Sequence, residues 1–250
     1  MLNCDLIYTI GDAYIQAAGR QAGVAPVVTK FGVVFLVILL GLGLLGAKRA
    51  LPLESTVSPQ RGVAANQRLT ALTGGPLLAM LVVLAVTILL IQPLLVEHYI
   101  VGFLLLPPVA LKMASTGYRF ARYYARDPSY RAAGAPPILL RFGLAPLLVL
   151  STLAAFATGL ELWIFGLRFG NSWITAHTVS AVIFVVTAGL HLLGHLRRTA
   201  DVTLEEVRAP GSREALSRRS LVIGCLLLGA ALAVASLLYA TPFPPAAAGA

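Results

Sequence analysis

Six apolar stretches, each long enough to cross a lipid bilayer, constrain the fold of this chain more than any other feature. An α-helix rises about 1.5 Å per residue, so crossing the roughly 30 Å hydrocarbon core takes about 20 mostly apolar residues. The chain of 250 residues is 58% hydrophobic and only 12% charged. These values predict an all-α fold, an integral membrane bundle of six transmembrane helices. The predicted spans are residues 28–47, 70–91, 96–123, 140–166, 173–196 and 219–240.

The segments outside these spans are too short to form a second domain. Residues 1–27 contain two aspartates and lack a basic start, which predicts an outer interfacial segment rather than a cleaved signal peptide. Residues 28–240 form the predicted transmembrane domain. The polar stretch 199–218 inside it is predicted to be a short amphipathic loop, and residues 241–250, TPFPPAAAGA, a flexible tail.

The distribution of basic residues predicts how the helices are oriented. Most of the 19 Lys and Arg residues lie around the polar segments that follow the first, third and fifth apolar stretches. Because basic loops stay on the cytoplasmic side of a membrane, both termini are predicted to lie outside, and the third and fifth helices to run parallel. The net charge of +9 is thereby explained by the basic loops that orient the helices in the membrane. The predicted surroundings are membrane lipid, with no nucleic-acid partner.

Histidines are concentrated on the third and fifth predicted helices. His98 opens the third helix and His177 the fifth, so on parallel helices the two side chains share one depth near the outer side. Ionisable side chains inside a membrane are costly and indicate a function. Two imidazoles facing each other across a helical bundle could bind one haem iron from both sides. Gly102, one turn after His98, would leave room for the porphyrin edge. The sequence therefore predicts a haem b site at His98 and His177.

A second level of candidate ligands lies fourteen residues further along both helices. His191 returns to within roughly 40° of the helix face that carries His177 and stands about 21 Å from it along the axis. At the matching position after His98 the chain has Lys112, followed by Met113. A neutral lysine or the methionine thioether could bind iron opposite His191, which would give a second haem.

Two arginines near the inner side are candidate partners for haem propionates, Arg119 and Arg141. Lys112 could share that role, or extend toward the cytoplasmic interface. His195 is predicted to be interfacial rather than a ligand, because basic residues follow it directly. A zinc site built on His191 and His195 has suitable helical spacing, but no Cys, Asp or Glu lies nearby to complete the ligand set.

On these residues the chain resembles the membrane cytochromes b, which hold haem between histidines on two facing helices. The resemblance covers residues 70–198 and rests on His98, His177 and His191, whereas Lys112 departs from the pattern. It implies a four-helix haem-binding core. It also implies electron transfer between a quinone or another membrane partner and a redox subunit.

A second similarity involves two segments, LLPPVALKMASTGYRFARYYARDPSYRAAGAPPILLR and LHLLGHLRR. They are similar to uncharacterised six-span actinobacterial proteins that are classed with haem-binding oxidoreductase subunits. This similarity implies a multi-pass protein of the bacterial cytoplasmic membrane. The chain has no nucleophile elbow, P-loop or dinucleotide-binding motif. Any enzymatic role is therefore predicted to be that of an electron-transfer subunit.

Two other functions fit the same sequence. A cofactor-free structural or anchor subunit would use its histidines only for hydrogen bonds between helices. A proton or small-solute transporter could use His191, Lys112 and Glu161, although only Pro107-Pro108 interrupts a span and no internal repeat is evident. A visible absorption spectrum distinguishes the haem protein from the anchor, and proton flux in liposomes would identify the transporter.

Overall fold

The computed structural model of the chain describes residues 61–91, 94–134, 138, 140–208 and 211–239. The predicted first span at 28–47, the segment 1–27 and the tail at 241–250 lie outside the described residues. Within the described ranges every regular element is a helix and there is no strand. The predicted all-α class is confirmed for this part of the chain.

Five long helices and one short helix make up the described part of the bundle. Each long helix is long and apolar enough to cross a membrane, and together they coincide with the second to sixth predicted spans. Large hydrophobic side chains are exposed on all five, aliphatic ones on four of them and aromatic ones on the helix that contains His98, as expected for a multi-pass membrane protein. The helices are α1 (Arg61–Leu89), α2 (Leu95–Tyr124), α3 (Pro128–Ala132), α4 (Ala145–Phe165), α5 (Ser172–Arg208) and α6 (Arg213–Tyr239).

Asp127 orders the linker between α2 and α4. Its side chain accepts hydrogen bonds from the backbone N–H groups of Ser129 and Tyr130, at 2.9 and 3.3 Å, and so caps the short helix α3. The same carboxylate pairs with Arg122 in the last turn of α2. A π-helical turn at Leu140–Leu144 then leads into α4.

Three helices extend past the spans that the apolar pattern predicts. α1 begins at Arg61 rather than at residue 70, and α6 begins at Arg213 rather than at residue 219. α5 continues to Arg208 rather than ending at residue 196. The predicted loop at 199–218 is correspondingly shorter. The extra turns are polar and are stabilised by neighbouring helices. For example, the Thr203 hydroxyl donates to the carbonyl of Ala71 at 3.0 Å.

Contacts at both ends show that α1 and α2 are antiparallel. Near the start of α1 the Asn66 side chain donates to the carbonyl of Ser115, late in α2, at 3.0 Å. Near the end of α1, Thr87 lies 3.0 Å from the ring of His98, in the first turn of α2. The Thr203 contact joins the end of α5 to the start of α1, so α5 is also antiparallel to α1. The helices α2 and α5 therefore run parallel.

A buried carboxylate joins the ends of α1, α5 and α6. Glu206 on α5 is 1% exposed. One of its carboxylate oxygens accepts two hydrogen bonds from the guanidinium of Arg218, at 2.9 and 2.7 Å, and the other lies 3.9 Å from Arg68. We call this end, where α1 and α6 begin and α2 and α5 finish, the basic end. The opposite end, which carries His98 and His177, is the histidine end.

The helices α2 and α6 approach each other closely at Gly229. A Cβ atom on Gly229 would overlap the backbone carbonyl of Leu104, whereas a Cβ on Gly224 of the same helix would meet no atom within 4 Å. Small residues let membrane helices pack backbone to backbone. The contact adjoins Leu105, which packs with Leu77 and Val101 in the centre of the core.

Gly229→Ala should therefore destabilise the protein while Gly224→Ala should not. Overpacking at a backbone contact that cannot give way costs about 1–3 kcal/mol. We expect a lower midpoint of thermal unfolding in detergent for Gly229→Ala. For Gly224→Ala we expect the free energy of unfolding to change by less than about 0.5 kcal/mol. Equal midpoints for the two variants would contradict the observed packing of α6 against α2.

Candidate functional site

The structure brings His98 and His177 together at the histidine end. His98 lies in the first turn of α2 and His177 in the second turn of α5. Their ring centroids are 6.3 Å apart and their planes meet at 83°. Both side chains are half-buried. Two imidazoles from parallel helices thus face each other at one depth.

A threonine on α1 contacts the His98 ring through Nδ1. The Thr87 hydroxyl lies 2.7 Å from the carbonyl of Leu84, to which it donates. Nδ1 of His98 lies 3.0 Å from the same hydroxyl oxygen, and this arrangement favours Nδ1–H as the donor because the hydroxyl proton already has an acceptor. In a neutral imidazole this leaves the lone pair on Nε2.

The ring of His177 is held in the same tautomer by α4. Its Nδ1 lies 3.1 Å from the carbonyl of Ala155, which can only accept a hydrogen bond. The same nitrogen lies 3.1 Å from the Thr158 hydroxyl, whose proton is directed at the carbonyl of Ala154, at 2.6 Å. Nδ1 is therefore protonated, and Nε2 carries the lone pair.

Two glycines lie beside these rings, and they differ in what surrounds them. A Cβ atom on Gly159 of α4 would stand 2.9 Å from Cε1 of His177, so only glycine leaves the ring in its observed place. A Cβ on Gly102 of α2 would meet nothing within 4 Å. Open space therefore lies one turn from His98, on the helix face where the sequence predicts a porphyrin edge.

The second level of candidate residues lies nearer the basic end. The Lys112 ammonium donates to the carbonyl of Thr70 on α1. The ring of His191 lies 4.8 Å, centroid to centroid, from that of His195. Lys112 thus has a backbone partner on another helix, and Met113 beside it is half-buried.

The two candidate propionate partners lie at the basic end of the bundle. The Arg141 guanidinium stacks on aromatic rings, 4.6 Å from the centroid of Phe142 and 4.8 Å from that of Tyr124. Its Nε is buried and has no hydrogen-bond partner among the described residues. Arg119 is half-buried on α2. The structure does not bring either arginine to the His98–His177 pair.

Glu161 is the most unusual carboxylate at the histidine end. Both of its carboxylate oxygens are buried, and neither has a hydrogen-bond partner in the described part of the chain. It lies three residues after Thr158, so the two share a face of α4. A buried carboxylate without a partner is costly when ionised. Glu161 therefore adds a buried carboxyl group to the face of α4 that carries Thr158.

Sequence reasoning missed the residues that orient the imidazoles, Thr87, Thr158 and Gly159. Threonine is common in apolar helices, and which hydroxyl reaches which ring depends on how the helices pack. The described residues contain no group of three or more His, Cys, Asp or Glu side chains that could hold a metal ion.

Comparisons with protein-family models, with curated proteins and with solved structures return no match to this chain. Its function therefore has to be inferred from its own residues.

Proposed function

We propose that the chain is a b-type cytochrome subunit of a membrane electron-transfer complex, in which His98 and His177 bind the iron of one haem b. The observation that supports this most strongly is that Nδ1 of each ring lies at hydrogen-bond distance from a group on another helix, the Thr87 hydroxyl for His98 and the Ala155 carbonyl for His177. This arrangement favours the tautomer that leaves the lone pair on Nε2. Histidines that bind metals characteristically donate their other N–H in this way.

The spacing of the rings also fits one iron between them. Two metal–nitrogen bonds of about 2 Å, with the distance from each nitrogen to its ring centre added, separate coaxial imidazole centroids by roughly 6 Å. The observed centroid separation is 6.3 Å. The open space beside Gly102 is compatible with a planar group next to the ligand.

A haem held here would supply one-electron transfer inside the membrane. The residues of the chain bind and orient it. Thr87 and Thr158 fix the two ring orientations, the Ala155 carbonyl increases the basicity of His177, and the apolar helices exclude water. Partners in line with this role are a quinone or another membrane donor and a redox subunit, in the bacterial cytoplasmic membrane with both termini outside.

An inner haem at His191 is the extension of this proposal. Lys112 and His191 repeat, fourteen residues on, the pairing of His98 with His177. The hydrogen bond from Lys112 to the Thr70 carbonyl occupies the lysine in the described arrangement. Met113 or a displaced Lys112 would then be the sixth ligand opposite His191.

The direct test is a reduced-minus-oxidised absorption spectrum of the purified protein after expression with sufficient haem, together with the haem content per chain. We expect a Soret band, reduced α bands and one haem per chain, or two if the inner site is filled. A colourless, folded protein would refute the proposal.

Gly159→Ala gives a sharper test of the ligand geometry. The added methyl group would displace the His177 ring from its hydrogen bonds to α4, since it would stand 2.9 Å from Cε1. Changes to groups that orient a metal ligand typically weaken binding about 10–100-fold. We expect a loss of this size in a haem titration, and no loss for the control Gly117→Ala, where a Cβ meets nothing within 4 Å. Unchanged haem affinity in Gly159→Ala would contradict the assignment of His177.

A cofactor-free structural subunit is the second candidate, and one observation favours it. The same hydrogen bonds that orient the imidazoles also tie α1 to α2 and α4 to α5. In that case the protein would be colourless, and His177→Ala would lower the unfolding temperature without changing any visible absorption.

A further inference from the structure

A basic pocket opens between the first turns of α1 and α6, at the end of the bundle remote from the histidines. Its volume is about 500 Å³. Four arginines line it, Arg61 and Arg68 from α1 and Arg213 and Arg218 from α6, together with Glu214. A cavity with this composition attracts anions.

Two of these arginines have no carboxylate partner. Arg218 is 11% exposed and is engaged with Glu206, and Arg68, 52% exposed, lies 3.9 Å from the same carboxylate. Arg61 and Arg213 are exposed and form no ion pair within the described ranges. Counted over the described lining residues and with Glu206 included, the pocket has a positive net charge, and two of its guanidinium groups are available to a ligand.

The apolar parts of both helices begin close to the pocket, at Leu69 on α1 and Leu221 on α6. At about 1.5 Å per residue, Arg68 and Arg218 stand within roughly 5 Å of these positions along the helix axes, inside a headgroup region that is about 5–8 Å thick on each side of the hydrocarbon. Arg61 and Arg213 stand roughly 12 Å from the same positions, just outside that region, and their long side chains can extend toward lipid phosphates from the water side. On α6, Leu216, Leu221 and Ile223 expose their aliphatic side chains, a suitable surface for acyl chains.

We propose that this pocket binds the phosphate group of an anionic phospholipid. The planar guanidinium binds phosphate through paired N–H donors, and basic pockets between membrane helices on the more basic side bind anionic headgroups. The excess positive charge selects an anionic lipid over a zwitterionic one. A free phosphate anion has the same binding chemistry, and the experiment separates the two sources.

The test is native mass spectrometry of the full chain in detergent, with titrations of phosphatidylglycerol, phosphatidylcholine and inorganic phosphate. We expect retained phosphatidylglycerol at one site per chain, at least tenfold weaker retention of phosphatidylcholine, and no displacement by millimolar phosphate. Equal retention of the two lipids would overturn the proposal. Displacement by inorganic phosphate would overturn the choice of a lipid.

Matched variants locate the site. R61Q/R213Q removes the two unpaired arginines of the pocket and should weaken phosphatidylglycerol binding at least tenfold. R131Q/R208Q removes the same charge from two exposed arginines at the basic end that do not line the pocket, and should bind as the unmodified chain does. Equal losses in both pairs would show that only overall charge attracts the lipid. Circular dichroism checks folding, and R61K/R213K, which keeps the charge but not the paired donors, gives a second measurement if the glutamine variant unfolds.

Discussion

Replacing His177 with Ala is expected to remove the haem absorption of the purified protein, and replacing His98 with Ala is expected to do the same. Each substitution deletes one of the two proposed ligands, and the other two histidines of the chain, His191 and His195, lie nearer the basic end. The centroid distance of 6.3 Å between the rings leaves room for one iron between them. We therefore expect the two substitutions to have the same effect. The readout is the Soret absorbance per mole of protein, which should fall to the level of unbound haem.

His195→Ala is the matched control, because it removes a histidine from the same helix near the basic end. Its absorbance at the outer site should equal that of the unmodified protein. If His195→Ala alone bleached the protein while His98→Ala did not, the assigned ligand pair would be wrong. If an inner haem is bound, His191→Ala should remove about half of the total absorbance and leave the remainder unchanged.

Glu206→Ala is expected to produce the largest loss of stability. Glu206 is 1% exposed and its partner Arg218 is 11% exposed, so the substitution leaves a buried guanidinium without a counter-charge. Removing one partner of a buried ion pair costs about 3–5 kcal/mol. The change also removes the acceptor near Arg68. Thermal unfolding in detergent, followed by helical circular dichroism, measures the effect.

Glu205→Ala provides the control, since the adjacent side chain is exposed and forms no ion pair among the described residues. Its free energy of unfolding should stay within about 0.5 kcal/mol of that of the unmodified protein. The double variant Glu206→Leu with Arg218→Met should recover most of the stability, because replacing both partners with apolar groups avoids the unpaired charge. A small effect of Glu206→Ala would mean that the three helix ends are not joined through this carboxylate.

The sequence was sufficient to predict the five long helices that the structure describes, but not their ends. Runs of about 20 apolar residues dictate helices because the hydrocarbon leaves backbone groups no other partners. The turns at Arg61 and at Arg208 are polar, and their helical state depends on contacts such as Thr203 with Ala71. Such contacts join residues far apart in the chain, so no local pattern reports them.

For the candidate site, the sequence was sufficient to predict which two histidines lie together, but not how their rings are oriented. The basic loops predict that α2 and α5 are parallel, and the structure brings His98 and His177 together. Haem binding itself stays a prediction. The tautomer of each ring, by contrast, depends on Thr87 and on the Ala155 carbonyl, which come from other helices. The requirement for glycine at position 159 likewise depends on the packing of the helices, because it arises from the position of the His177 ring.

The unusual length of α5 has a consequence for the alignment of the two histidines. Its 37 residues extend about 55 Å, nearly twice the hydrocarbon thickness, so its far end is positioned outside the membrane. Glu206, about eight turns from His177, fixes that end against α1 and α6. A slip of one residue along the axis would shift His177 by about 1.5 Å and rotate it by about 100°. The ion pair at the basic end therefore acts together with the α4 contacts of His177 to hold α5 in one axial register.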